Sequence, residues 1–282
     1  VIIKYGGFLP AYTKLRYAQE RGAIGVLFIS DTSQQDIYTM DSIQRESVAF
    51  GDILPGNIIH PGPFVTIEES NPHDVGRLFD ESPVAPTIPS LPISWNDFKV
   101  IMEKVKGKGS HFQDWDFNLF DKQIEIWFGD DTYEVNLNND LTVRPNKESW
   151  NIMGKLAGRE QDTYAIVIAA SRDSLCHGAM ESSGSAILLE LINVFSEMSQ
   201  SLRWKPLRSI FFVSYSGSKF NMAGSTYFPI KQADFFRRDV YSVIDLDDII
   251  QGDQIQVDGD PIFHSILKDS VHRAMEKYGN ST

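Results

Sequence analysis

The sequence predicts an α/β protein of two consecutive domains, the second with a mostly parallel central sheet flanked by helices. One observation is a strand–helix–strand pattern over residues 1–31, in which two apolar runs flank a short amphipathic segment. Another is the alternation of near-continuous apolar runs with amphipathic segments after residue 150. Such runs are typical of strands that a parallel sheet buries on both faces.

The first elements are two strands, predicted over residues 1–5 and 23–29, with a short helix between them. Leu15 and Ala18 share one face of that helix, and Gly22 is expected to end it. Two parallel strands joined by a helix are the repeating unit of an α/β fold.

Irregular structure is expected over residues 32–92, which are rich in Pro, Gly and Asp. Ser94 is predicted to cap a helix whose apolar residues recur at helical spacing until Gly107 ends it. Residues 124–128 and 133–137 both alternate between apolar and polar residues, and a Gly-Asp-Asp turn separates them. This pattern predicts a β-hairpin.

The stretch 144–147 is the predicted boundary between a domain of residues 1–147 and a domain of residues 148–282. In the second domain, strands are predicted over 164–170, 210–214 and 241–246, and helices over about 182–199, 222–236 and 261–277. The last helix is expected to turn four apolar residues inward: Phe263, Ile266, Leu267 and Val271.

Composition excludes several function classes. A net charge of -12 argues against a nucleic-acid partner, which requires a basic face. No apolar run approaches the roughly 20 residues of a membrane span, so we expect no direct membrane insertion in this segment. Cys176 is the only cysteine, which excludes an internal disulfide and a multi-cysteine zinc site. The chain begins at Val1 in a strand-like segment, so we expect it to be an excerpt of a longer protein.

Polar residues follow three of the predicted strands, in the segments 171–174, 214–220 and 244–248. The carboxyl ends of parallel strands meet at one edge of a sheet, and α/β proteins bind ligands there. The sequence therefore places its candidate functional site at these three strand ends.

The order and spacing of these strand ends resemble the M28 zinc-peptidase family. More closely, they resemble its branch of glutamate carboxypeptidase II and the transferrin receptors, and within it the fungal transferrin-receptor-like proteins with a degenerate metal site. Further segments are similar to this branch: 5–7, 51–56, 88–94, 151–158 and 223–226.

The resemblance implies a protease-associated (apical) domain, a β-rich α+β fold, over residues 1–147. It implies an M28 peptidase-like domain, incomplete at its C-terminal end, over residues 148–282. In the family a helical dimerisation domain follows, and the parent protein is a single-pass type II membrane protein. We therefore expect a luminal or extracellular location in the secretory or endocytic pathway.

Peptidases of the family hold two zinc ions and need His, carboxylate or thiolate ligands and a carboxylate base. By the resemblance, Ser171 stands at the first His ligand, and Ser218 and Lys219 stand at the Glu-Glu pair that supplies the base and a ligand. Asp247 alone matches a ligand, and the last family His would lie beyond residue 282. The resemblance thus implies no catalytic residue, no bound metal and no cofactor.

The bridging carboxylate of the family falls at Met180 or at Glu181 in this sequence. Alignment with the family favours Met180, so the resemblance leaves Glu181 as a weak candidate ligand. The family uses the position of Asp173 to orient the ligand imidazole, and here that aspartate has no imidazole to orient. We also consider that Lys219 and Asp247 pair with each other where the family keeps its metal.

Two other sites are weaker hypotheses. Cys176 and His177 are a conceivable replacement metal pair, but adjacent residues on a turn point apart, so packing or exposure is favoured. A serine hydrolase built on Ser171, Ser183 or Ser218 is disfavoured, because none lies in a Gly-x-Ser-x-Gly elbow.

The first function hypothesis is a non-catalytic receptor or adaptor scaffold that acts in membrane-protein sorting, trafficking or turnover. Its expected partners are membrane cargo or sorting machinery, and a homodimer is expected through the helical domain. The alternative is a zinc-dependent exopeptidase with an unorthodox metal site, and a third reading is a structural module that supports a dimer. Asn280 lies in a glycosylation sequon and is a candidate modification site.

Overall fold

The computed structural model describes residues 1–31, 39–59, 61–62, 80–112, 124–140, 148–160, 163–175, 179–247, 249 and 257–279. The chain divides into two compact units, Val1–Ile250 and Gln251–Thr282. The predicted boundary stretch 144–147 lies outside the described residues, so the division into domains 1–147 and 148–282 stays a prediction.

A three-stranded parallel sheet organises the N-terminal part of the first unit. Its elements are β1 (Ile2–Lys4), α1 (Ala11–Glu20), β2 (Val26–Ile29) and β3 (Ser90–Ile93), with β2 in the centre. The helix buries Leu15 against this sheet, in a core that also contains a stacked ring pair, Tyr5 on Phe28, with centroids 4.7 Å apart. The predicted strand–helix–strand unit is confirmed, and β3 is an addition that the Pro-rich sequence did not indicate.

The helix predicted to start after Ser94 is α2 (Trp95–Val105). The Ser94 hydroxyl accepts from the Asp97 N–H, and the Asp97 carboxylate accepts from the Ser94 N–H, so the two residues form a capping box. Gly107 follows the helix with a φ of +77°, which suits glycine. Both ends of this helix are therefore specified by local sequence.

The predicted hairpin between residues 124–128 and 133–137 is wrong. The strand β5 (Ile126–Trp127) pairs antiparallel with β4 (His111–Phe112) instead. Tyr133 and Val135 are 51% and 69% exposed, so no described residue covers the apolar face of the second segment, and the segment gains little from pairing as a strand.

The second sheet has four strands in the order β6-β8-β7-β9. The elements of this region are β6 (Ile152–Leu156), β7 (Ala165–Ser171), α3 (Ala179–Ser201), β8 (Ile210–Tyr215), α4 (Ala223–Lys231), α5 (Ala233–Arg238) and β9 (Val240–Asp245). Strands β8, β7 and β9 are parallel, and β6 is an antiparallel edge strand. The prediction of a mostly parallel central sheet is thus met in part, in an α/β fold with a mixed sheet.

Helices cover both faces of this sheet. On one face Leu188 of α3 packs on Ile168 and Phe212, and on the other Phe228 of α4 packs on the side of Val213. Residues alternate between the two clusters along β7 and β8, as the pleat requires. The strands therefore form a double-sided core, and their carboxyl ends lie outside it.

Strand β9 forms the outer edge of the four-stranded sheet, and among the described residues it pairs only with β7. Its apolar side chains are only partly covered: Tyr241 is 57% exposed, Val243 50% and Ile244 46%. This edge differs from the central strands, whose side chains are largely buried.

The second compact unit contains a 3-10 turn (Pro261–Phe263) and the helix α6 (His264–Tyr278). The predicted helix is confirmed, but no residue within its described length is buried, and Ile266 is 62% exposed. The prediction that its apolar side chains face inward is wrong for Ile266, because the described part of this unit has no buried residue against which it could pack. In the described part of the chain no helix is long and apolar enough to cross a bilayer.

Candidate functional site

The three predicted strand ends do lie side by side. Strand β7 pairs Ser171 with Tyr215 of β8, and it pairs Ala169 with Asp245 of β9. One further backbone hydrogen bond continues this pairing past the end of β7: the Arg172 N–H donates to the Tyr215 carbonyl at 2.8 Å. We call residues 171–175, 214–219 and 245–247 the strand-end site. Its location at the carboxyl edge of a parallel sheet is the one that the sequence predicted.

Ser171 is buried at the base of the strand-end site, with 2% of its surface exposed. Its N–H donates to Asp247 Oδ1 at 2.6 Å, and its carbonyl accepts from the Ser185 hydroxyl at 2.6 Å. The Ser171 hydroxyl itself has no hydrogen-bond partner in the described part of the structure. The backbone of this residue is therefore anchored on both sides while its side chain contributes no polar contact.

Asp173 uses both of its carboxylate oxygens to hold the turn that follows β8. Oδ1 accepts from the Ser218 N–H at 2.8 Å, and Oδ2 accepts from the Lys219 N–H at 2.7 Å. Hydrogen bonds to an ionised acceptor are stronger than neutral ones. Asp173 therefore acts as an anchor for a backbone turn, a role that sequence reasoning missed because the two donors are main-chain groups of another loop.

Arg172 ties the site to the antiparallel side of the sheet. Its guanidinium donates to the Ser214 hydroxyl at 2.9 Å and to the Trp150 carbonyl at 2.5 Å. The planar fork of arginine suits two acceptors that lie in different directions. The surviving arginine of the motif thus links β8 to the segment that leads into β6.

Glu181 lies in the first turn of α3, and only 4% of its surface is exposed. Its carboxylate accepts from the Leu175 N–H at 2.8 Å and from the Ser174 hydroxyl. An acidic group at a helix N-terminus is favoured by the helix dipole. These contacts fasten the turn after β7 to α3, and they account for a buried carboxylate without a metal.

Carboxylates at the end of β9 complete the site. Asp245 and Asp247 are exposed, and Asp245 accepts from the Asp247 N–H at 3.3 Å. Burial and these two carboxylates raise the pKa of Tyr215 to about 12. Lys219 and Asp247 are not among the ion pairs given for the described residues, and the pairing that we considered from the sequence stays a prediction.

The side chains that the structure describes at this site do not fit a two-zinc centre. The His, Cys, Asp and Glu residues that the structure describes form no group of three or more able to hold a metal ion. The Asp173 oxygens and one Asp247 oxygen accept backbone amides, and Lys219 brings a positive charge to the same turn. The weaker candidates Cys176 and His177 lie outside the described residues, as do the side chain of Met180 and the sequon at Asn280.

Asn151 is a structural residue of the site that sequence reasoning did not identify. Its amide donates to the Gly224 carbonyl at 2.8 Å, and its Oδ1 accepts from the Ser216 N–H at 3.0 Å. A Cβ on Gly224 would lie 1.8 Å from the Ser216 carbonyl oxygen, so only glycine fits there. Both segments contributed to the family resemblance, but the sequence did not indicate that they touch.

Comparison with protein-family models matches residues 151–282 to peptidase family M28. Three fungal relatives show similarity over most of the chain. The uncharacterized protein TRE1 of Saccharomyces cerevisiae is 33% identical over 88% of this chain, and an inactive zinc metalloprotease of Schizosaccharomyces pombe is 31% identical over 84%. The vacuolar protein sorting-associated protein 70 of Saccharomyces cerevisiae is 28% identical over 96%.

Transferrin receptor protein 2 of Homo sapiens matches as well, at 29% identity over 98% of this chain and 33% of the relative. The chain spans 29%, 30% and 34% of the three fungal relatives, so it corresponds to only part of each. The branch named from the sequence motifs is therefore confirmed by the relatives that the chain matches.

Proposed function

Because residues 151–282 match peptidase family M28, we propose that the protein is a non-catalytic member of that family, a receptor or adaptor scaffold in membrane-protein sorting, trafficking or turnover. One observation carries the proposal. The three carboxylates of the strand-end site, Asp173, Asp245 and Asp247, each accept a backbone N–H group. Two-zinc chemistry needs carboxylates and imidazoles directed at metal, and serine and lysine offer neither.

The names of the relatives support the two parts of the proposal separately. One relative is named an inactive zinc metalloprotease, which fits a fold that has lost its chemistry. Another is named a vacuolar protein sorting-associated protein, and a third a transferrin receptor, which fits a role in carrying or sorting membrane proteins. Function on a shared fold depends on its surfaces, so transferrin itself is not the proposed ligand.

The proposal includes an organisation for the whole protein. Residues 1–147 would be a protease-associated (apical) domain and residues 148–282 the peptidase-like domain. The segment would lie in the lumen or outside the cell, on a single-pass type II membrane protein that dimerises through a helical domain. Its partners would be membrane cargo or sorting machinery, and Asn280 would carry a glycan.

Two measurements on the full-length membrane protein test the proposal. The first is metal content by mass spectrometry together with hydrolysis of a peptide panel, with and without a chelator. We expect no stoichiometric zinc and no chelator-sensitive hydrolysis. Zinc with chelator-sensitive turnover would refute the proposal and favour a zinc exopeptidase with an unorthodox site.

The second measurement is affinity capture of membrane proteins by the full-length protein and by a variant that lacks residues 1–147. We expect cargo to be captured by the full-length protein and lost with the N-terminal region. Dimerisation without any specific capture would favour a purely structural module instead.

A further inference from the structure

Asn221 joins the loop after residue 50 to the turn after β8 through its side chain and its backbone carbonyl. The Asn221 amide donates to the Leu54 carbonyl at 3.0 Å and to the Gly56 carbonyl at 2.9 Å. The Gly56 N–H donates in return to the Asn221 carbonyl at 2.7 Å. We call these three hydrogen bonds the Asn221 clamp. They connect segments that are far apart in the sequence and lie on opposite sides of the predicted domain boundary.

The turn that carries the clamp is held in an unfavourable backbone conformation. Asn221 and Met222 have φ values of +55° and +58°, both in the left-handed region. Asparagine tolerates this region, but an unbranched apolar residue such as methionine rarely adopts it. Such outliers persist only where surrounding contacts hold them, and they cluster at functional and switching segments.

The loop of residues 50–56 and the turn of residues 217–222 pack closely against each other. Asn221 is 3% exposed, and its Oδ1 has no hydrogen-bond partner in the described structure. A Cβ at Gly51 would lie 2.9 Å from that oxygen and 3.3 Å from the Met222 methyl group. The loop therefore accepts this side chain because residue 51 is glycine.

The clamp lies between two anchored segments. On one side Asp52 accepts from the Arg16 guanidinium of α1 at 2.6 Å, which fixes the loop to the N-terminal sheet. On the other side the Met222 N–H donates to the Ser218 carbonyl at 2.9 Å, within the turn whose amides Asp173 holds. A continuous set of contacts thus runs from α1 to the strand-end site through Asn221.

We propose that the Asn221 clamp is a releasable lock between the N-terminal region and the strand-end site. When it is closed, the loop of residues 50–56 and the turn of residues 217–222 behave as one rigid element. When it opens, Met222 can leave the left-handed region, and the Ser218 and Lys219 amides lose part of their restraint. A force or ligand that displaces the N-terminal loop is then transmitted to the strand-end site. This lock does not depend on the proposed adaptor function.

Hydrogen–deuterium exchange on the full chain tests the lock. In Asn221→Gly the backbone retains its access to positive φ while both side-chain donors are lost. We expect exchange to be about tenfold faster in peptides covering residues 50–57 and 216–222. Asn139→Gly is the matched control, because it removes a side-chain bond to the Ser90 carbonyl within the N-terminal region. It should leave both peptides unchanged.

A second variant approaches the clamp from the opposite side. Gly51→Ala places a methyl group against Asn221 and should raise exchange in the same two peptides without altering the turn sequence. If Asn221→Gly does not fold, this variant alone decides the question. Faster exchange confined to the mutated segment, or unchanged exchange in both peptides, would overturn the proposal.

Discussion

Removal of the Asp173 carboxylate should destabilise the protein whether or not metal is present. In Asp173→Ala the Ser218 and Lys219 N–H groups lose acceptors that lie at 2.8 and 2.7 Å. Hydrogen bonds to a charged group contribute about 1.5–3 kcal/mol each, and this site is partly exposed to water. We therefore expect the free energy of unfolding to fall by about 2–4 kcal/mol.

Urea denaturation followed by circular dichroism measures this loss, and for a chain of this size it corresponds to a thermal midpoint lower by about 5–10 °C. The series is run with EDTA and with added zinc. The loss should be the same in both, because the acceptor acts on backbone amides. Asp131→Ala, at an exposed turn, is the control and should unfold like the parent.

Two results would refute this reasoning. An Asp173→Ala variant that unfolds at the parent's urea midpoint would show that the two hydrogen bonds contribute nothing. A loss that appears with zinc and disappears with EDTA would show that the carboxylate acts through a metal ion.

Three further predictions concern the same site. Gly184→Ala would place a methyl group 2.0 Å from the Leu246 carbonyl oxygen and should lower the free energy of unfolding by about 1–3 kcal/mol. Gly154→Ala is the control, because a methyl group there meets nothing within 4 Å and should leave the free energy of unfolding unchanged. Burial and nearby carboxylates raise the pKa of Tyr215 to about 12, above the ~10 of the unfolded chain. As the pH rises, the unfolded state therefore loses this proton first, and the free energy of unfolding falls between about pH 10 and pH 12. Tyr215→Phe should remove this fall when the free energy of unfolding is measured against pH. Ser171→Ala removes a buried hydroxyl that has no described hydrogen-bond partner, so the thermal midpoint should stay unchanged or rise. Ser171→His should still bind no zinc when metal content is measured by mass spectrometry, because the base and the other ligands remain absent.

Local signals account for what the sequence predicted well. The capping box at Ser94 and the glycine at position 107 are short-range devices, and both ends of α2 follow from them. The strands of residues 165–171 and 210–215 are apolar along their length because the sheet buries them on both faces. Such runs predict parallel strands even before it is known which strand pairs with which. The site followed from these strands, because it lies where they end.

Non-local pairing accounts for what the sequence did not predict. The alternation in residues 133–137 was real, but a hairpin also requires its apolar face to be buried, and Tyr133 and Val135 are exposed. The Asn221 clamp and the amide anchor of Asp173 use main-chain acceptors and donors from distant loops. Main-chain groups occur at every residue, so such contacts leave no signature in a sequence.

The outer edge of β9 bears on how this chain will behave in concentrated solution. Among the described residues β9 pairs only with β7, and its side chains Tyr241, Val243 and Ile244 are about half exposed, so this edge can act as a template for strand addition. Two molecules that meet at this edge can extend each other's sheets without unfolding. We therefore expect self-association that increases with protein concentration during purification and crystallisation. Val243→Lys should reduce it, because a charged side chain on an edge strand disfavours the addition of a second strand.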